Sequence, residues 1–93
     1  MRHRSFLFTP ATRLDRLGKA RATRADWVVM DLEDGVGLGD KAAARRAVCD
    51  HLRIVGPDET KGLALRVNSL STTDGIRDLN ALLDLKRWPD MLV

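Results

Sequence analysis

Apolar residues along the chain alternate between short runs and helical spacing. Ser5 to Thr9 is an apolar run stopped by Pro10, the pattern of a buried strand. Thr12 then stands where a helix cap belongs, and Leu14, Leu17 and Ala20 or Arg21 recur at helical spacing to about Thr23. Trp27 to Leu32 reads as a second strand, followed by a loop carrying Gly35, Gly37 and Gly39. Asp40 occupies an N-cap position, and Ala44, Ala47, Val48 and Leu52 give the next helix one apolar face, closed by Gly56 and Pro57. Leu63 to Val67 is a third strand, Asn68 to Asp74 a polar turn, and Ile76, Leu79, Leu82 and Leu83 mark a third helix to about Lys86. Pro89 and Asp90 lead into Met91, Leu92 and Val93, the opening of a fourth strand.

Strands that alternate with helices predict an α/β fold of parallel βα units joined by right-handed crossovers. Strand centres near Leu7, Val29, Leu65 and Leu92 lie about 28 residues apart. Eight such units would need on the order of 230 residues, close to the roughly 250 of a (β/α)₈ barrel. Residues 1–93 are therefore expected to form the first three to four units of such a barrel, the N-terminal part of one domain, apparently truncated. A small open α/β sheet is the competing architecture. A half-barrel exposes the inner face of its sheet and two unpaired edges, so either self-association or completion by a second chain is expected.

Composition narrows the classes. With 44% hydrophobic and 31% charged residues the chain reads as globular, neither disordered nor membrane-spanning. The apolar core of MRHRSFLFTPAT is too short for a secretory signal. Cys49, without a partner for an internal disulfide, reads as a partly buried helix thiol in a reducing cytoplasm. Net charge is +3, but the arginines are scattered and few aromatics interleave with them, so no nucleic-acid surface is expected. An anionic small molecule suits the surplus.

The acids in VVMDLEDGVGLGDK need a reason, because strands of parallel sheets are covered on both faces and normally read as continuous apolar runs. Alternation puts Asp31 and Glu33 on the face of Val29, turned into the barrel, while Val28, Met30 and Leu32 pack against helices. On the third strand Leu63, Leu65 and Val67 are expected outward, and Ala64, Arg66 and Asn68 inward with the polar members last. Active sites of such barrels lie at the carboxyl ends of the strands. An internal ion pair of Arg66 with Asp31 or Glu33 explains these residues without chemistry, and a site for an anionic substrate, with or without a metal, explains them as well. Elsewhere, Gly35, Gly37 and Gly39 miss the dinucleotide spacing, and His3 and His51 lack metal-ligand spacing. Arg13, Arg16 and Lys19 begin the first helix at the same end, as solvated surface or as contacts for phosphate groups.

RSFLFTPATRLDRLGKA, ADWVVMDLEDGVGLGDKAAARRAV and LRVNSL together resemble the first segments of the citrate lyase beta-subunit and malyl-CoA lyase family, related to malate synthase. The resemblance covers essentially the whole chain. It implies a (β/α)₈ barrel lyase that makes or breaks a carbon–carbon bond of a CoA thioester of a small hydroxy acid, citryl-CoA or malyl-CoA in type, assisted by Mg²⁺. It assigns Arg66 and Glu33 to catalysis, and Arg66, Asp31, Asp34 and Asn68 to the CoA-thioester or oxoacid substrate. Thr9, Pro10 and Arg13 fall near coenzyme A, although TPAT stands where the family commonly has proline, glycine and asparagine. Glu33 and Asp34 would border the metal from its outer shell, since the family's direct ligands, a glutamate and an aspartate, come from later strands. Without those ligands the isolated chain is expected to be inactive.

Overall fold

A computed structural model describes residues 6–21, 26–54, 62–86 and 88–93, the side chains of Ala20 and Arg21 excepted. Four strands, β1 (Phe6–Pro10), β2 (Trp27–Asp31), β3 (Leu63–Arg66) and β4 (Met91–Leu92), form one parallel sheet in sequential order. Between them lie α1 (Leu17–Arg21), α2 (Lys41–Ile54) and α3 (Thr73–Leu83), as alternating βα units require. No helix among the described residues is long and apolar enough to cross a membrane.

The register makes the sheet two-sided. Val28, Met30 and Leu32 lie on the face of Leu63 and Leu65, where with Ala44, Val48, Cys49 and Leu52 of α2 they build the hydrophobic core. The opposite face carries Phe6 and Phe8 of β1, Trp27 and Val29 of β2, and Ala64 and Arg66 of β3. Val29 and Ala64 are buried at its centre, whereas Phe6 and Phe8, stacked against Trp27 and Arg66 respectively, each stay 43% exposed. β1, expected to be buried, is thus an edge strand with an apolar face open to solvent. Burial of an edge strand depends on a neighbour that its own residues do not supply.

The first helix also departs from expectation. Ala11–Arg16 is 3₁₀, broken at Arg13 (φ −132°, ψ 47°), and only Leu17–Arg21 is α-helical; the expected end at Thr23 lies outside the described residues. Thr12 is not the cap, since Pro10 holds that position and makes no side-chain hydrogen bond there. A 3₁₀ turn, Leu38–Asp40, likewise precedes α2, while Gly56 and Pro57 fall outside the described residues.

α3 turns a different face inward from the one its apolar residues suggest. Gly75, Asp78 and Leu82 are buried; Ile76, Leu79 and Leu83 are exposed. The helix begins at Thr72, whose side-chain oxygen accepts from the Gly75 N–H at 3.0 Å. A Cβ on Gly75 would lie only 2.0 Å from the Ser69 carbonyl oxygen, so glycine there permits close packing of the β3–α3 turn on the helix.

Candidate active site

Asp31 is the register partner of Arg66, so parallel pairing alone brings both side chains to one rim of the sheet, at its carboxyl end. The guanidinium donates through Nε to Oδ1 at 2.9 Å and through Nη2 to Oδ2 at 2.7 Å, a fork that fixes its plane. Phe8 closes one face of that plane, its ring centre 4.5 Å from the guanidinium carbon. The Asp31 carboxylate also accepts from the Glu33 and Gly35 N–H groups, both at 2.8 Å. The following loop is thereby wound around it, and a Cβ on Gly35 would sit 2.8 Å from Oδ2. Burial pushes the Asp31 carboxyl up, but Arg66 and the two N–H groups outweigh it and hold the group below the usual carboxylate range. The same bond raises Arg66 above its ordinary value despite partial burial.

Two further acids stand beside this pair. Glu33 Oε1 is 3.7 Å from Arg66 Nε and Asp34 Oδ2 is 3.8 Å from Nη2, charge neighbours beyond hydrogen-bond length. No described residue accepts from Arg66 Nη1. A cleft of about 490 Å³ opens here, bordered by Glu33, Arg66, Asn68, Leu79, Leu92 and Val93. An arginine clamped on one edge and one face beside a cleft can receive a carboxylate or an enolate oxygen.

Asn68 does not share this face. β3 ends at Arg66, so the expected alternation stops there, and the Asn68 side chain turns toward the helices. Its Oδ1 accepts from Lys41 Nζ at 2.7 Å, and its Nδ2 and backbone N–H donate to Asp78 Oδ2 at 2.7 and 2.9 Å. With the side chain buried and its amide bonded to Lys41 and Asp78, Asn68 borders the cleft as part of its wall, its side-chain hydrogen bonds directed into the protein. Thr9 is buried on the helical side as the partner of Met30, and Pro10 lies opposite Asp31. Arg13 is exposed and paired with Asp15 at 3.1 Å.

Sequence reasoning passed over Phe8, Lys41, Arg45 and Asp78. Lys41 Nζ reaches back to the carbonyl oxygens of Leu32 (3.0 Å) and Glu33 (2.8 Å). Asp78 Oδ1 accepts from Arg45 Nε at 2.7 Å, and Arg45 Nη2 continues to Asp74 at 3.1 Å. A signal was available: Lys41 lies three residues before Ala44, in phase with the buried face of α2, and Asp78 four before Leu82 on α3.

The described residues do not make a metal centre. No group of three or more His, Cys, Asp or Glu among them is placed to hold an ion, Asp31 is saturated by four donors, and Glu33 and Asp34 face a guanidinium. The Mg²⁺ implied by the resemblance therefore does not fit these residues on their own.

Residues 4–89 match the HpcH/HpaI aldolase/citrate lyase family. A citrate lyase subunit beta-like protein of Mycobacterium tuberculosis is 44% identical over 77 residues, 83% of this chain and 26% of that protein. An L-malyl-CoA/beta-methylmalyl-CoA lyase of Cereibacter sphaeroides is 37% identical over 82 residues, 88% of this chain and 26% of its own. Among solved structures, the CitE protein of M. tuberculosis in complex with magnesium, acetoacetate and coenzyme A superposes with a TM-score of 0.71 at 41% identity, over 88% of this chain and 28% of that one. RipC of Yersinia pestis gives 0.69 at 41% identity, over 98% of this chain and 33% of that one. The chain thus spans about a quarter to a third of the length of these relatives.

Proposed function

Because this chain belongs to the HpcH/HpaI aldolase/citrate lyase family, we propose that it forms the arginine-bearing part of the active site of a carbon–carbon lyase acting on a CoA thioester of a small hydroxy acid, citryl-CoA or malyl-CoA in type. Residues 1–93 would then be the N-terminal part of the barrel domain. Completion of the barrel by further βα units, or by a second chain, would supply the rest of the site. A reducing cytoplasm is the compartment that suits the free, buried Cys49.

The observation that carries the proposal is the orientation of Arg66. Two of its nitrogens are held by Asp31 and one face by Phe8, so the guanidinium is already ordered where it borders the cleft. When a carbon–carbon bond beside a carbonyl breaks, negative charge develops on oxygen, and a pre-oriented cationic donor stabilises that charge more than it stabilises the neutral carbonyl. Arg66 is assigned this role, together with binding of the oxoacid. Asp31 holds the plane of the guanidinium in place at the cleft. Glu33 is assigned to proton handling at the cleft, and Asp34 to the loop over it. Thr9, Pro10 and Arg13 form the rim assigned to the CoA moiety, with Arg13 released from Asp15 to meet phosphate. Magnesium would need ligands from outside the described residues, and the isolated chain is expected not to turn substrate over.

Titration of isotopically labelled protein with oxaloacetate tests the assignment. Arg66 side-chain resonances are expected to shift, and the shift is expected to vanish in Arg66→Lys, which keeps the charge but loses the fork. A titration that leaves Arg66 unmoved removes it from the site. Malyl-CoA and citryl-CoA with Mg²⁺ should yield no product from the chain alone; clear turnover would overturn the expected inactivity.

A further inference from the structure

The acidic loop after β2 is held from two sides, and only one of them belongs to the site as described so far. Its N–H groups, from Glu33 and Gly35, point at Asp31. Its carbonyls, from Leu32 and Glu33, point at the Lys41 ammonium, whose third bond goes to Asn68 Oδ1 just beyond the end of β3. Lys41 is the first residue of α2 and is only 8% exposed. A buried lysine is expensive unless every proton of its ammonium finds an acceptor, and here three oxygens at 2.7 to 3.0 Å take all three. No carboxylate among the described residues pairs with it directly; a link to one runs through the Asn68 amide to Asp78.

We propose that Lys41 is a positioning residue that staples the carboxyl ends of β2 and β3 together and thereby sets where Glu33 stands relative to Arg66. The backbone of Glu33 is gripped at its N–H by Asp31 and at its C=O by Lys41, which fixes the point from which its side chain extends toward the guanidinium. Asn68 completes the staple: Asp78 orients its amide so that Oδ1 faces Lys41. Without the ammonium the two loop carbonyls lose their donor, the loop hangs on its N–H bonds to Asp31 alone so that these open more often, and Glu33 is free to swing away from the cleft. That the staple serves a lyase site rests on the function proposed above; that it orders the loop does not.

Lys41→Met, which keeps the length and the apolar stem, is compared with Val48→Ala, a core change in the same helix that touches none of these groups. Amide hydrogen exchange at Glu33 and Gly35, and at the Arg66 Nε–H, is measured under conditions where both variants have equal stability. In Lys41→Met exchange at these sites is expected to quicken at least tenfold over Val48→Ala, and the dissociation constant for oxaloacetate to rise by a similar factor. Equal exchange in the two variants overturns the proposal, because Lys41 would then contribute stability alone. Should the unaltered protein show no oxaloacetate shift, the lyase assignment fails while the exchange comparison still decides the staple.

Discussion

At the scale of single residues, the Asp31 and Arg66 pair ties β2 to β3 at the rim of the sheet. Asp31 is buried, so removal of Arg66 leaves a carboxylate with two backbone donors in place of four. Arg66→Ala is therefore expected to lower stability by about 1–3 kcal/mol, read from the urea midpoint, as well as abolishing oxaloacetate binding. The pH dependence follows from the depressed carboxyl of Asp31. A folded-state value below the unfolded one of about 3.9 means that the stabilisation is present above that pH and is lost as pH falls through the folded value. Urea midpoints between pH 3 and 6 should fall on the acid side in the native protein, and less steeply in Asp31→Asn. Equal slopes in the two proteins would show that other carboxylates govern acid unfolding.

Elements show how much of the site depends on turns in place of strands. Thr72→Ala removes the oxygen that caps α3 and should cost about 1 kcal/mol. Gly75→Ala must do more, because the added methyl meets the Ser69 carbonyl, and a helix start cannot shift without carrying Asn68 and Asp78 apart. An overpacking cost of about 1–3 kcal/mol is expected from thermal unfolding, along with a loss of Lys41–Asn68 contact visible as a shifted Asn68 side-chain amide. A Gly75→Ala protein with native stability and an unmoved Asn68 amide would mean that the turn is less tightly packed than described. Strand alternation placed Arg66 and Asp31 correctly from the sequence and misplaced Asn68. The period of two holds only while ladder bonds hold the backbone extended, and β3 ends two residues before Asn68.

For the whole molecule, the open question is the apolar surface that the described residues leave uncovered. Phe6, Leu7 and Phe8 on one edge, Leu92 and Val93 on the other, and Ile76 and Leu83 along α3 are all exposed. Sheet edges with apolar faces pair readily with other chains. Measured alone, the chain is expected to bind ANS and to sediment with a concentration-dependent mass. A monodisperse monomer that leaves the dye dark would show these surfaces to be protected. The family relatives are about three to four times as long as the share matched here.

What the sequence determined by itself is the order of strands and helices, the parallel α/β class, the family and the convergence of Arg66 with the acids of the preceding strand. The family rests on the resemblance of its motifs; the others rest on local periodicity or on parallel register, which neighbouring residues encode through the alternation of side chains. What only the tertiary structure decided is which partners the polar residues take: Asn68 with Lys41 and Asp78, Phe8 under Arg66, and an α3 that buries Gly75 and Asp78 in preference to Ile76. Residues 27 positions apart meet in the Lys41–Asn68 bond, and no local pattern states which of several buried polar groups will satisfy which. That choice is made when the helices dock, because every buried donor must find an acceptor within the geometry that packing allows.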